Sequence, residues 1–151
     1  MSMEQTFLMV KPDGVQRGLV GTIISKFEKK ALKLVGMRML IPTQELLERH
    51  YEEHLGKPFL PGLIQWMISG PVVAMAWEGK DVVKQARKII GATRPREAEG
   101  WTIRGEYGID MRFNLVHGSD SVDAAKRELS IWLKADEKLD YSLQAHAYIL
   151  E

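Results

Sequence analysis

At 151 residues, 45% hydrophobic and 27% charged, the chain has the length and composition of one globular domain, and residues 1–151 are read as a single unit. The 21 Lys and Arg against 20 Asp and Glu leave a net charge of +1, which gives nucleic acid no electrostatic footing as the main partner. Without cysteine there are no disulfides, thiolate nucleophiles or Cys-ligated metals, and no apolar run approaches the roughly 20 residues that cross a bilayer.

The first residues, MSMEQTFLMVKPDG, lack a basic segment followed by a long apolar stretch, so no leader peptide is expected and a cytoplasmic location is the default. TFLMV (6–10) reads as a short buried strand ended by the turn residues KPDG. From Val20, the apolar positions Ile23, Ile24, Phe27, Ala31 and Leu34 keep helical spacing, with Lys26, Glu28, Lys29 and Lys30 on the opposite face. VGMRMLI (35–41) alternates as a half-buried strand should, with Val35, Met37, Met39 and Ile41 on one side. TQELLERHYEEHL predicts a polar helix, and LIQWMISG a shorter one after the Pro/Gly break at GKPFLPG. PVVAMAW (71–77) is a central-strand candidate, KDVVKQARKIIG a helix, RFNLVH the last strand and VDAAKRELSIWL (122–133) the last long helix.

The order β-α-β-α-β-α-β-α suits a ferredoxin-like, largely antiparallel sheet with helices on one face, and equally a small doubly wound parallel sheet. Residues 91–110, GATRPREAEGWTIRGEYGID, break the pattern. A structureless stretch of that length in a compact domain is usually functional, and this one holds Thr93, Arg94, Arg96, Trp101, Thr102, Arg104 and Tyr107. It reads as a binding loop.

Lys11, Arg87 and Arg104 each stand near the end of a predicted strand or helix, or in this loop. Guanidinium forks and an ammonium converging with threonines are what an oligophosphate requires. GVQRGLVG contains neither the glycine-rich phosphate loop nor the dinucleotide fingerprint, so any nucleotide is held by side chains from scattered elements. Among the four histidines, His50 and His54 in HYEEH match a zinc-binding spacing, although a solvated helix face accounts for them more simply. His117 differs. It ends an apolar run, and Asn114, Ser119, Asp120, Ser121 and Glu128 lie within local reach. The serines and the aspartate can cap the next helix, yet an imidazole oriented by a carboxylate at a helix start is also a competent nucleophile toward an anion.

TFLMVKPDGVQRGLVG, SGPVVAMAWEG, GATRP, TIRGEYG and FNLVHGSDS, in this order, resemble nucleoside diphosphate kinase from about Thr6 to Leu133. The resemblance implies an α+β fold: a ferredoxin-like βαββαβ core, a four-stranded antiparallel sheet covered by helices, and a C-terminal helix and tail. It also implies ping-pong transfer of a γ-phosphate through a phosphohistidine on His117, with Mg²⁺ carried by the nucleotide phosphates and broad tolerance of bases. By motif, Glu128 orients the ring with Ser119 nearby, and Tyr51 packs beside it. Lys11, Arg87, Thr93 and Arg104 hold phosphates, Asn114 and Lys11 touch the sugar, and Phe59, Leu63 and Met111 contact the base. Gly118 is expected to leave room beside the His117 ring. A homo-oligomer follows, a hexamer by the length of the tail or else a tetramer, with no membrane or nucleic-acid partner indicated.

The chain departs from the family in three places. Arg112-Phe113-Asn114 replaces a common Gly-Arg-Asn, Gly100-Trp101 a common Pro-Gly, and Glu106 a common Asp. A cleft kept for nucleotide binding without turnover, or a zinc hydrolase using His50 and His54, are the competing functions.

Overall fold

The computed structural model describes residues 3–151. Four strands, β1 (Glu4–Val10), β2 (Lys33–Leu40), β3 (Val72–Gly79) and β4 (Val116–Gly118), form one sheet in the order β2-β3-β1-β4. Every neighbouring pair is antiparallel, which excludes the doubly wound alternative. The helices are α1 (Pro12–Gln16), α2 (Val20–Lys29), α3 (Gln44–His50), α4 (Leu60–Ile68), α5 (Val82–Ile90), α6 (Ile103–Tyr107), α7 (Val122–Trp132) and α8 (His146–Ile149).

Both faces of the sheet are covered, not one. Leu8 and Val10 of β1, with Val73, Met75 and Trp77 of β3, pack with Ile23 and Phe27 of α2 and Val82, Ala86 and Ile90 of α5. The alternate residues Phe7, Met9, Val72, Ala74 and Ala76 pack with Leu47 of α3, Ile64 and Met67 of α4, and Leu129 and Trp132 of α7. Strands buried on both sides read as continuous apolar runs, which is why TFLMV and VVAMAW show no alternation.

Several element boundaries move, each for a local reason. The helix from Val20 stops at Lys29, because Ala31 takes φ 63° and Leu32 N–H closes back on the Phe27 carbonyl at 3.3 Å. That left-handed cap turns the chain into β2 three residues before Leu34 could extend the helix. KPDG is not a bare turn but the start of α1, with Pro12 at its first position. The helix predicted over TQELLERHYEEHL ends at His50, and Glu52–His54 form a 3₁₀ turn. In β2, a bulge between Leu34 and Gly36 inserts one residue and changes the phase of the strand. Val35 therefore faces the core while Met37 and Met39 are 54% and 62% exposed, so the alternation in VGMRMLI marks an outward face.

The last strand is shorter than RFNLVH. Met111–Phe113 form a 3₁₀ turn, Leu115 sits at φ 76°, and only Val116–Gly118 pair with β1, placing His117 opposite Met9. Residues 91–110 are ordered by two short helical pieces, Pro95–Glu97 and α6, the latter capped by the Thr102 hydroxyl on Gly105 N–H at 3.0 Å. Five-residue helices are too short for periodicity to reveal.

Candidate active site

Lys11 follows the last residue of β1, and β4 lies beside that strand, so the two segments meet at one end of the sheet. Their backbones lock together. Lys11 N–H donates to the Leu115 carbonyl (2.9 Å), and Leu115 N–H donates to Oδ2 of Asp13 on α1 (3.0 Å). This exchange holds Leu115 in its left-handed conformation, which costs an apolar residue roughly 1–2 kcal/mol when unsupported. The turn separates Asn114 from His117 along the chain and brings the Asn114 side chain to Lys11.

His117 Nε2 lies 3.0 Å from Oε1 of Glu128 on α7, and the Ser119 hydroxyl donates to the same oxygen at 2.6 Å. Burial pushes the Glu128 carboxyl up, but the hydrogen bond and charge of His117 and the Ser119 hydroxyl outweigh it, leaving its pKa below the ordinary value. An ionised carboxylate only accepts, so the proton of this contact sits on His117 Nε2. Nδ1 has no hydrogen-bond partner among the described residues.

On its other side, His117 meets an aromatic cluster. His50 stands edge-on to it, with ring centroids 4.7 Å apart, and Phe7 lies 5.8 Å away. Trp132 Nε1–H donates to His50 Nδ1 at 3.0 Å inside the core. Burial first, then the neighbouring His117, lowers the His50 pKa to about 3, with Glu128 opposing, so His50 stays neutral. The ring neighbours of Tyr51 are His50 (4.6 Å) and His54 (6.3 Å). Burial and the Glu128 charge raise the Tyr51 phenol to about 12. Arg127 ties α7 to α3, donating to the carbonyls of Arg49 (3.1 Å) and His50 (3.3 Å). The contacts of His50, Trp132 and Arg127 join residues 67 to 82 positions apart, and sequence spacing gives no sign of them.

The zinc pair of the sequence does not form, since His54 Nδ1 instead lies 3.2 Å from Lys57 Nζ. The set that does converge is His50, His117 and Glu128, whose ligand atoms lie within 4.8 Å of one another and could hold a metal ion. Two imidazoles and one carboxylate suit zinc-class ions, not Mg²⁺, which takes oxygen ligands. In addition, Trp132 occupies the Nδ1 lone pair of His50, so its ring proton is on Nε2 and neither nitrogen is free to ligate. The cluster does not fit a resident Mg²⁺.

Lys11 Nζ donates to Asn114 Oδ1 (3.0 Å), and Asn114 Nδ2 to the Thr93 carbonyl (3.3 Å), which brings the GATRP segment to the cleft. Burial, then Arg104, lowers the Lys11 pKa to about 8, with Asp13 opposing. Arg104 is buried, and its guanidinium donates to the carbonyls of Val116 (2.7 Å), Asn114 (3.2 Å) and Gly91 (3.4 Å). Burial and then Arg87 bring its pKa down to about 10. Arg87 donates to the Gly118 carbonyl at 3.2 Å. Thus Lys11, Arg87, Arg104, Thr93 and Asn114 do come together around β4. A Cβ at Gly118 would meet Cδ1 of Ile90 at 2.4 Å, so this glycine permits the close packing of α5 on β4.

Phe59 and Leu63 line a cleft of about 400 Å³ with Pro58, Gly62, Trp66 and Arg112. Met111 is outside that lining and 53% exposed, next to Arg112 on the 3₁₀ turn.

A family model described as nucleoside diphosphate kinase matches residues 4–138. The chain belongs to the nucleoside diphosphate kinase family. It is 55% identical over 149 residues to the nucleoside diphosphate kinase of Heliobacterium modesticaldum, covering 99% of this chain and 100% of that protein. It is 53% identical over 148 residues to the Saccharomyces cerevisiae kinase, covering 98% and 97%. The solved structure of the Halobacterium salinarum kinase in complex with CDP aligns at TM-score 0.95 and 47% identity, over 99% of this chain and 100% of that one. The Babesia bovis family protein aligns at 0.94 and 41%, over 97% and 99%. As a family member, the chain has the ferredoxin-like α+β topology expected from its motifs.

Proposed function

We propose that this chain moves the γ-phosphate of a nucleoside triphosphate to a nucleoside diphosphate through a phosphohistidine on Nδ1 of His117. The observation that carries the reading is the Glu128 contact at 3.0 Å, which fixes the proton on Nε2 and leaves the Nδ1 lone pair for attack. In the first half-reaction a bond forms from Nδ1 to the γ-phosphorus. The bond from that phosphorus to the β,γ-bridging oxygen breaks, and the diphosphate leaves with the electron pair. The imidazole ring gains positive charge, which the Glu128 carboxylate offsets. A second diphosphate then attacks the phosphohistidine through its terminal oxygen, reversing the steps.

The protein has little covalent chemistry to do beyond supplying the nucleophile; it positions groups and spreads charge. In this reading Lys11, Arg87, Arg104 and Thr93 hold the phosphates, Asn114 and Lys11 the sugar, and Phe59 and Leu63 the base, with Met111 at its edge. Ser119 and Glu128 orient the ring, and Tyr51 stands beside the cluster as a protonated hydroxyl. Mg²⁺ arrives on the nucleotide phosphates as part of the substrate, which accords with a protein set unsuited to holding it. A base cleft lined mainly by apolar groups supports broad base tolerance. We also infer a cytoplasmic homo-oligomer, a hexamer in preference to a tetramer. The exposed apolar residues Met37, Met39, Trp101 and Ile109 support association, and among the described residues no helix is long and apolar enough to cross a membrane. Light scattering on the purified protein measures its mass.

Purified protein incubated with Mg²⁺ and γ-labelled ATP is expected to take up an acid-labile, alkali-stable label. That label should leave as a new triphosphate when another nucleoside diphosphate is added. His117→Ala should take up none while keeping its fold; a labelled variant, or an unlabelled parent that still binds nucleotide, overturns the reading.

A further inference from the structure

The cleft that holds Phe59 and Leu63 contains one charged group among its six lining residues, Arg112. It lies on the Met111–Phe113 turn, and Phe113 follows it directly. These two residues form a connected arrangement. The Arg112 guanidinium carbon is 5.6 Å from the centroid of the Phe113 ring, and Phe113 packs on Trp66 at 5.5 Å and 54°. Trp66 itself belongs to α4 and to the cleft lining. The guanidinium is thus steadied against an aromatic pair anchored on a helix, and no acidic side chain forms an ion pair with it among the described residues. A cation–π contact of this kind limits the fork's freedom without using its N–H donors.

We propose that Arg112 reads the edge of the nucleotide base and favours guanine. A guanidinium fork matches two neighbouring acceptors, and guanine presents such a pair at O6 and N7. Adenine and cytosine place an exocyclic amine donor at the corresponding edge, which meets Arg112 donor to donor. The remaining lining carries no charge, and its one polar side-chain group is the indole N–H of Trp66, so the other walls contribute mainly affinity. Tolerance of all bases is kept, with a bias set by one exposed side chain. Because water competes at that exposed site, the bias is expected to be about five- to tenfold, less than a buried bidentate pair gives.

The inference rests on the phosphohistidine reading, and the experiment separates the two. Phosphoenzyme made from labelled ATP is chased in single turnovers with GDP, ADP, CDP or UDP, and kcat/KM is taken for each acceptor. The ratio of GDP to CDP within one protein cancels any general loss of activity in a variant. The parent is expected to give a ratio of about 5–10, R112G about 1–2, and R112K a value near R112G, because an ammonium keeps the charge but not the fork. An equal loss for all four acceptors would assign Arg112 to the phosphates and overturn the proposal. So would an unchanged ratio in R112G, or a parental ratio in R112K. Failure of the parent to form phosphoenzyme would instead overturn the phosphohistidine reading on which the proposal stands.

Discussion

Replacing Glu128 by Gln tests the carboxylate's charge apart from its geometry. The amide oxygen can still accept from His117 Nε2 and from the Ser119 hydroxyl, which now share Oε1 at 3.0 and 2.6 Å, so only the negative charge is removed. Two unit charges at that separation interact by about 5–6 kcal/mol at an effective dielectric near 20. The ring carries part of a charge in the transition state, and His117 is 27% exposed, so about 2–3 kcal/mol of this should survive. Phosphoenzyme formation from saturating labelled ATP, followed by rapid quench, should therefore slow about 30- to 150-fold. A rate within about threefold of the parent would refute the electrostatic role and leave Glu128 a positional one. The same variant reports on stability. The folded-state pKa of Glu128 is lowered, so its contribution is complete above the ordinary carboxylate range and is lost as pH falls through the folded value. Urea midpoints of the parent should fall between pH 7 and acid pH by more than those of Glu128→Gln; equal slopes would remove that argument.

Three further outcomes follow from the geometry. Lys11, near pH 8 in the free protein, should be recharged by a phosphate placed beside it. Well below pH 8 it is already protonated and little is taken up; well above, nucleotide binding should take up as much as one proton. Calorimetry at pH 8.5 in buffers of different ionisation enthalpy measures this, and identical heats would refute it. Gly118→Ala must push Ile90, whose Cδ1 lies 2.4 Å from the new Cβ, and should lose about 1–3 kcal/mol in urea unfolding. A stability unchanged from the parent would mean α5 shifts freely. Trp132→Phe leaves His50 Nδ1 without its donor and should cost about 1–3 kcal/mol. It also frees a lone pair in the His50, His117 and Glu128 cluster, so titration should show tighter Zn²⁺ binding than in the parent; equal affinity would overturn the tautomer argument.

The sequence disclosed the site wherever chemistry sits in a contiguous motif. KPDG, GATRP, TIRG and NLVHGSDS name Lys11, Thr93, Arg104, Asn114 and His117, because each segment lies at the end of a strand or helix and uses small or hydrogen-bonding residues there. What stayed hidden is long-range. His50 looked like half of a zinc pair with His54, since helical spacing places them on one face, but α3 ends between them and His50 turns inward to Trp132. The outward face of β2 was concealed by a bulge that changes strand phase without changing composition. The left-handed Leu115 carried no glycine to announce it; Asp13, a hundred residues away, holds it instead.

The pairing of β1 with β4 joins the first strand of the chain to the last, with Met9 facing His117. Glu128 comes later still, on the final long helix. Closing so wide a loop is slow compared with forming local turns. A ribosome-bound fragment that ends before α7 therefore has the nucleophile but not the carboxylate that orients it. In the proposed mechanism self-phosphorylation reaches its full rate only when α7 has docked, so the rise in label uptake during refolding or translation is a clock for that late step, read out by the protein's own chemistry.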